Sequence, residues 1–295
     1  MSLFKGSGVA LVTPFKDNEV DYDKIKELIN WHIKNDTDAI IVCGTTGESS
    51  TMSEDEKKNV IKYAVEVANK RIPIIAGSGS NNTKQAVKLS KYCENVGADG
   101  LLVVTPYYNK GNEKGLINHY KAIAESVSLP IILYSVPSRT GVNLKPKMVK
   151  ILSEVKNIVA LKDATGDISQ ALEIRRICKE DFDIYSGNDD MIVPILSLGG
   201  AGVISVVANI LPKQTHDLVA MYHKGEIEKS LEIQLEMNAL VSALFIEVNP
   251  VPVKTAMKIL KMDTGELRLP LDQMNKENIE VLKKEMKEYG LDIGE

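Results

Sequence analysis

Short apolar runs recur through the first two thirds of this 295-residue chain, with centres roughly 19 to 34 residues apart, the spacing of βα units. Each run has the length of a strand that is buried on both faces of a parallel sheet. Amphipathic helical patterns lie between them. The eight runs cover residues 9–12, 39–43, 72–76, 101–104, 131–134, 158–161, 182–185 and 202–206. This alternation predicts an α/β fold, the (β/α)8 or TIM barrel, in which the strands close into a cylinder.

Two of the helical patterns are clear enough to place. One consists of residues at helical spacing, namely Ile25, Leu28, Ile29, His32 and Ile33. The other begins with a capping box of Ser53 and Glu56. A doubly wound open sheet is the alternative architecture, but no G-x-G-x-x-G motif follows any of the apolar runs. The closed barrel is therefore the better interpretation.

The chain after about Pro212 predicts helices and no further strand. One helical face consists of Met237, Leu240, Val241, Leu244 and Phe245, and the sequence Asn249-Pro250-Val251-Pro252 breaks this helix. A second face consists of Ile279, Leu282, Met286 and Tyr289, and this helix stops at Gly290. We therefore expect a catalytic barrel at residues 1–224 and a C-terminal helical domain at residues 225–295.

Composition and charge argue against several kinds of partner. The chain is 44% hydrophobic and 26% charged, as in ordinary globular proteins, and its net charge of −4 argues against nucleic acid. No run approaches the ~20 apolar residues that cross a bilayer, and the N-terminus lacks a signal-peptide layout. We therefore expect a cytoplasmic protein without a membrane partner. The cysteines have no metal-type or disulfide-type spacing and are expected to be buried: Cys43, Cys93 and Cys178. The histidines are expected to be solvated or in the core: His32, His119, His216 and His223.

A lysine follows the sixth apolar run, at a position where a charge is disfavoured. Lys162 comes directly after Leu161, and burial at a strand end penalises the ammonium form relative to the neutral amine. A neutral lysine amine is a nucleophile that forms Schiff bases with ketones. The alternative is a lysine that pairs with Asp163 at the barrel mouth.

Residues after the other runs are expected close to Lys162, because the carboxyl ends of all barrel strands meet at one rim. Thr45 and Thr46 lie between Gly44 and Gly47, and their N–H groups and hydroxyls suit a bound carboxylate. A plain βα turn with helix capping has the same pattern, so this motif alone does not decide the function.

Aromatic and basic residues follow the fourth and fifth runs. Tyr107 and Tyr108 come after the fourth run, Tyr134 ends the fifth, and Arg139 lies just beyond it. A tyrosine hydroxyl beside a neutral amine transfers protons, and an arginine binds a carboxylate through two parallel hydrogen bonds. The alternatives are tyrosines that fill space and a solvated surface arginine.

The last two runs add space for a ligand. Small residues around Gly187 leave room after the seventh run, and the backbone of Ile204 lies in the eighth. The lysine, two tyrosines, paired threonines and arginine together are the constellation of a Schiff-base aldolase.

Whole segments of the chain resemble the pyruvate-dependent class I aldolase superfamily, and within it the dihydrodipicolinate synthase family. The matching segments, in the order and separation typical of that family, are residues 44–48, 106–109, 134–141, 161–166, 186–189 and 249–254. The resemblance covers the whole chain. It implies a (β/α)8 barrel with a C-terminal helical domain, and condensation of pyruvate with L-aspartate 4-semialdehyde in lysine and diaminopimelate biosynthesis.

The resemblance also implies a role for each catalytic residue. Lys162 carries the imine and then the enamine of pyruvate, so that no metal or dissociable cofactor is needed. Tyr134 transfers protons in a relay with Thr45 and with Tyr108, which reaches in from a neighbouring subunit. This arrangement implies a homo-oligomer, a tetramer built as a dimer of dimers, with Tyr107 at an interface.

Substrate contacts follow from the same resemblance. Thr46 and the backbone of Ile204 are expected to hold pyruvate, and Arg139 is expected to bind the carboxylate of the semialdehyde. Gly187 is expected at the substrate site, where it leaves room for a ligand. The alternatives are a sibling enzyme, such as N-acetylneuraminate lyase or a keto-deoxy-sugar-acid aldolase, and a barrel that only binds ligands. The lyases lack an arginine at the position of Arg139 and tend to have serine at that of Thr45.

Lysine-sensitive relatives bind lysine in a cleft near the positions of three residues of this chain, Ser49, Asn81 and Tyr107. Three surrounding residues depart from the sensitive pattern, with Glu54 and Lys57 in place of histidines and Gln85 in place of a glutamate. We therefore expect weak inhibition by lysine, or none.

Overall fold

The computed structural model describes residues 2–294 and contains a closed barrel of parallel strands. Strand β1 (Gly6–Ala10) pairs with both β4 (Ala39–Val42) and β10 (Gly202–Ser205), so the sheet has no open edge and the doubly wound alternative is wrong. The predicted (β/α)8 class is confirmed. The barrel strands are β1 (Gly6–Ala10), β4 (Ala39–Val42), β5 (Ile74–Gly77), β6 (Gly100–Val104), β7 (Ile131–Ser135), β8 (Ile158–Asp163), β9 (Asp183–Ser186) and β10 (Gly202–Ser205).

The first strand begins earlier than the apolar pattern predicts. β1 starts at Gly6, which pairs with Gly202, and it ends at Ala10 rather than Val12. A side chain at Gly202 is excluded, because an added Cβ would lie 1.8 Å from the carbonyl oxygen of Gly6. Close approach of two backbones therefore decides where this strand starts, and glycines leave no apolar signal for it.

A small hairpin follows the first strand and was not predicted. It consists of β2 (Phe15–Lys16) and β3 (Glu19–Val20), which are joined by Asp17 and Asn18 with φ of 52° and 62°. Two consecutive left-handed residues form the tight turn that aspartate and asparagine favour. Strands of two residues are too short to produce a periodic pattern.

Nine helices surround the barrel within residues 2–294, and both placed patterns are confirmed. The first pattern is α1, which buries its apolar face together with His32. The second is α2, where the Ser53 and Glu56 capping box is present. The helices are α1 (Tyr22–Lys34), α2 (Glu54–Ala68), α3 (Thr83–Asn95), α4 (Glu113–Ala124), α5 (Pro137–Thr140), α6 (Pro146–Ser153), α7 (Ile168–Ile177), α8 (Ile192–Ser197) and α9 (Pro212–His223). Short 3-10 turns cover Asp189–Met191 and Val207–Asn209.

Three further helices follow the barrel: α10 (Ile227–Ala243), α11 (Val251–Ile259) and α12 (Lys276–Glu288). The described residues after Pro212 contain no strand, and one isolated bridge joins Gly265 to Phe15. The prolines around its start suggested a break, so α11 was not predicted. Pro250 is its N-cap residue and Pro252 lies in its first turn, where proline is tolerated. Phe245 was wrongly placed on α10, since it lies beyond the helix and is exposed. The division at residues 224 and 225 stays a prediction.

The remaining predictions on single side chains are mostly confirmed. Cys43 and Cys93 are buried, but Cys178 ends α7 and is only half-buried, which corrects its prediction. His32 and His119 are buried, His216 is half-buried and His223 is exposed. Within residues 2–294, no helix is long and apolar enough to cross a membrane. The same residues contain no group of three or more possible metal-binding side chains.

Candidate active site

Lys162 lies beside Tyr134 at the carboxyl ends of neighbouring strands. The two residues are paired in the register of β7 and β8, and the Nζ atom lies 4.4 Å from the centroid of the Tyr134 ring. Both side chains are buried. An aromatic face this close attracts an ammonium group without accepting its protons in conventional hydrogen bonds. Lys162 is thus packed against an apolar ring that carries one hydroxyl.

The salt bridge with Asp163 that the sequence left as an alternative is not present. Lys162 forms no salt bridge with any residue in the described range, and successive residues of β8 point to opposite faces. Asp163 instead accepts a hydrogen bond from the Thr165 N–H at 2.8 Å, and its Oδ2 atom has no partner among the residues that the structure describes. Burial raises the pKa of the Asp163 carboxyl, and the hydrogen bonds of Thr165 oppose this shift.

The segment after β4 forms a compact turn that brings Thr45 and Thr46 to the rim. The N–H of Glu48 donates to the Thr45 carbonyl at 3.1 Å. Thr45 is half-buried and Thr46 is buried. The hydroxyl of Thr13 donates to the carbonyl of Gly47 at 2.7 Å, which joins the turn to the segment after β1. The threonines therefore lie in a turn with backbone and side-chain restraints on both sides.

Gly187 and Ile204 lie at the ends of the next strands around the barrel. A Cβ at Gly187 would lie 2.7 Å from the Cβ of Ala164, so only glycine fits against the end of β8. Its N–H donates to the Asp163 carbonyl at 2.7 Å. Ile204 is fully buried in β10 and pairs with Gly8. The strand ends that bear Lys162, Tyr134 and these two residues thus share one rim, as the sequence predicts.

Arg139 lies on the short helix α5, just beyond β7, and its side chain is exposed. One guanidinium nitrogen, Nη2, donates to the carbonyl of Asn249 at 3.1 Å. No acidic residue of the described chain forms a salt bridge with Arg139. The guanidinium is therefore oriented by a neutral acceptor and retains its charge for an anion.

Asn249 is a residue of this site that sequence reasoning missed. Its side chain is buried, and its Nδ2 atom donates to the hydroxyl of Thr46 at 2.9 Å, while its carbonyl binds Arg139. The Oδ1 atom has no partner within the described chain. The sequence signal was present in the segment 249–254, but it was interpreted as a helix break.

Asp189 is a second missed residue, in the 3-10 turn after β9. Its buried Oδ2 atom accepts hydrogen bonds from the N–H groups of Val206 and Val207 at 3.0 and 2.8 Å. Its Oδ1 atom has no partner in the described chain. Burial raises the pKa of Asp189, and hydrogen bonds and the charge of nearby Lys162 oppose this shift. A buried carboxyl group with one unpaired oxygen thus lies within electrostatic reach of the lysine.

Tyr107 and Tyr108 lie in the loop after β6. The Tyr108 side chain is 91% exposed, and its φ of +68° is left-handed. Tyr134 is by contrast 6% exposed, so one chain alone does not bring these two tyrosines together. Tyr107 is 39% exposed and lines a separate cavity.

That cavity has a volume of about 220 Å³. It is lined by all the residues that the resemblance places around the lysine cleft, except Ser49. Its lining includes Glu54, Lys57, Asn81, Gln85 and Tyr107. The Oε1 atom of Glu54 is already paired, since it accepts from both Lys58 and Lys88 at 2.7 Å. The hydrogen bonds of these lysines lower the pKa of Glu54 to about 2.

Comparison with known proteins agrees with this geometry. Residues 3–289 match the model of the Dihydrodipicolinate synthetase family. The 4-hydroxy-tetrahydrodipicolinate synthase of Clostridium tetani is 57% identical over 292 residues, which cover 99% of each chain.

Solved structures agree as well. The dihydrodipicolinate synthase of Aquifex aeolicus has a TM-score of 0.96 at 46% identity, over 98% of this chain and 99% of that one. The enzyme of Cyanidioschyzon merolae, solved with lysine bound, has a TM-score of 0.96 at 38% identity, over 99% of this chain and 100% of that one. A family model that spans nearly the whole chain, and relatives similar over their full length, lead to one conclusion: the chain belongs to the dihydrodipicolinate synthetase family.

Proposed function

We infer that this chain is a lyase of the class I aldolase type that condenses pyruvate with L-aspartate 4-semialdehyde to 4-hydroxy-tetrahydrodipicolinate. This is the first committed step of lysine and diaminopimelate biosynthesis. The observation that carries the inference is the buried Lys162, with its Nζ 4.4 Å from the ring centroid of Tyr134, in a chain whose relatives bear this enzyme's name. Sibling aldolases are not favoured, because full-length relatives at 55–57% identity are named as the synthase.

The first half of the reaction is assigned to Lys162 and its neighbours. The Nζ atom attacks the keto carbon of pyruvate, and loss of water gives the imine. Tyr134 and Thr45 move the protons of this step, and Thr46 and the backbone of Ile204 hold pyruvate. Loss of a proton from the methyl group then gives the enamine. The imine itself is the electron sink, so this route requires no metal or dissociable cofactor.

The second half joins the two substrates. The enamine carbon attacks the aldehyde carbon of the semialdehyde, whose oxygen takes up a proton. The amino group of the adduct then attacks the imine carbon, which closes the ring and releases the Lys162 amine. Arg139 binds the semialdehyde carboxylate at the mouth of the site, and the space at Gly187 admits the ligand.

The proposal also includes the oligomeric state of the enzyme. The relay of Thr45 and Tyr134 is incomplete within one chain, since Tyr108 points into solvent. We assign Tyr108 to the site of a neighbouring subunit and Tyr107 to the same interface, in a homotetramer built as a dimer of dimers. The proposed setting is the cytoplasm, with small-molecule substrates and no nucleic-acid or membrane partner.

Borohydride trapping tests the function directly. We expect the protein to acquire the mass of a reduced pyruvate adduct, and Lys162→Ala to lose it while remaining folded. Lys162→Arg is expected to fail equally, because a guanidinium stays protonated at neutral pH. Lys284→Ala, which removes an exposed lysine, is the matched control. An adduct in Lys162→Ala contradicts the assignment. A coupled assay with the semialdehyde, run beside N-acetylneuraminate cleavage, separates the synthase from a sibling lyase.

A further inference from the structure

A buried ion pair joins the turn after β4 to helix α11. The Nζ atom of Lys254 lies 2.8 Å from Oε1 of Glu48, and the side chains are 3% and 0% exposed. Among the salt bridges of residues 2–294, this is the only one in which both side chains are buried. The next most buried pair, Arg268 and Glu56, is 11% and 22% exposed.

The remaining hydrogen-bonding capacity of the pair is also used. Lys254 donates to the carbonyls of Thr13 at 3.1 Å and Glu266 at 2.6 Å, so all three donors of its ammonium have acceptors. The Oε2 atom of Glu48 accepts from the backbone N–H of Arg268 at 3.2 Å. Burial lowers the pKa of Lys254, and the charge of Glu48 opposes this shift. The pair thus joins the segment after β1, the turn after β4 and the C-terminal loop.

The ion pair lies next to the residues that are proposed to hold pyruvate. Glu48 is two residues beyond Thr46, and its N–H donates to the Thr45 carbonyl. The backbone φ of Glu48 is +52°, a left-handed conformation that a glutamate adopts at a cost when the surroundings impose it. Asn249, which precedes α11, binds the Thr46 hydroxyl from the same side.

We propose that Glu48 and Lys254 are positioning residues that hold the backbone of Thr45 and Thr46 in the geometry that binds pyruvate. The inference rests on the proposed function of these threonines. An apolar pair of similar volume would fill the same space with comparable stability. It would not restrain the turn, because the carbonyls of Thr13 and Glu266 would lose their common donor, and the turn would lose the carboxylate that joins it to that donor.

Steady-state kinetics of Glu48→Gln, Lys254→Met and the double variant test the proposal. The reaction has two half-reactions, so kcat/KM for pyruvate reports imine formation and kcat/KM for the semialdehyde reports the later steps. We expect kcat/KM for pyruvate and the rate of borohydride trapping to fall about ten- to a hundredfold, the cost of a displaced binding group. The semialdehyde value falls much less. Glu173→Gln is the matched control, because it makes the same substitution in a salt bridge, with Arg176 on α7, that does not contact the turn. This variant is expected to retain the parent ratio of the two kcat/KM values.

The ratio of kcat/KM for pyruvate to kcat/KM for the semialdehyde distinguishes a positioning role from a purely stabilising one. Partial unfolding lowers both kcat/KM values equally, so a reduced melting temperature with an unchanged ratio overturns the proposal. If a single variant leaves an unpaired buried charge and does not fold, the double variant Glu48→Gln/Lys254→Met, which has no such charge, gives the answer. Parent enzyme that is never trapped with pyruvate contradicts the proposed function instead, which distinguishes the two failures.

Discussion

Replacement of Arg139 by alanine probes how the second substrate is selected. The guanidinium lies at the mouth of the barrel, where Nη2 donates to the neutral carbonyl of Asn249 at 3.1 Å. Since no carboxylate of the described chain neutralises it, its charge is available to the substrate. We expect Arg139→Ala to preserve trapping of pyruvate and to raise the KM for L-aspartate 4-semialdehyde.

The magnitude follows from the exposure of this side chain. A charge-assisted hydrogen bond contributes about 1.5–3 kcal/mol, whereas an exposed ion pair contributes about 0.2–1 kcal/mol. Arg139 is exposed but restrained by Asn249, which places the loss between these limits, at about 1–2 kcal/mol. This corresponds to a decrease of about five- to thirtyfold in kcat/KM for the semialdehyde.

The assay measures initial rates at saturating pyruvate over a range of semialdehyde concentrations. Arg139→Lys is expected to give an intermediate value, because it keeps the charge and loses the planar pair of donors. Arg176→Ala is the control, since Arg176 is 69% exposed and pairs with Glu173 on a distant helix. If Arg139→Ala retains the parent kcat/KM for the semialdehyde, Arg139 is a solvated surface residue and does not select the substrate.

Three further predictions concern assembly, regulation and pH. Tyr108→Phe is expected to lower kcat about a hundredfold. If Tyr108 acts across subunits, mixing this variant with inactive Lys162→Ala subunits restores activity. Absence of any recovery contradicts the proposed relay. L-lysine is expected to inhibit weakly or not at all, because Gln85 is neutral and Glu54 is already paired. Initial rates with added lysine check this. Strong inhibition at sub-millimolar lysine would refute it. Burial lowers the pKa of His32 to about 3, so the unfolded chain binds an extra proton between about pH 6.5 and 3. The unfolding free energy therefore falls by up to about 1.4 kcal/mol per pH unit as the pH drops through that window, and denaturant titrations of His32→Gln should show a shallower decrease.

The strand ends were predictable because one rule places them. Apolar runs of strand length identify the barrel strands, and parallel strands of a closed barrel expose their carboxyl ends at one rim. The sequence therefore predicts that Lys162, Tyr134 and Ile204 share one rim, and they do. The roles of the individual side chains came from the resemblance to a family, and they stay predictions to be tested by substitution.

The contacts around Asn249 and Glu48 were not predictable in this way. Asn249 and Thr46 are separated by 203 residues, and Glu48 and Lys254 by 206. No periodicity relates them, because their approach depends on how α11 packs against the barrel. Local sequence was even misleading here, since the prolines that begin α11 suggested an interruption.

The sequence by itself determined the barrel, its helices and the rim on which the chemistry lies, because burial and hydrogen-bonding periodicity are local properties of a chain. Tertiary structure decided which side chains restrain the site. The docking of α11 buries Lys254 against Glu48 and brings Asn249 to Thr46. The loop after β6 leaves Tyr108 in solvent. Such contacts depend on the relative placement of distant segments, and that placement emerges only when the apolar faces of the whole chain are packed together.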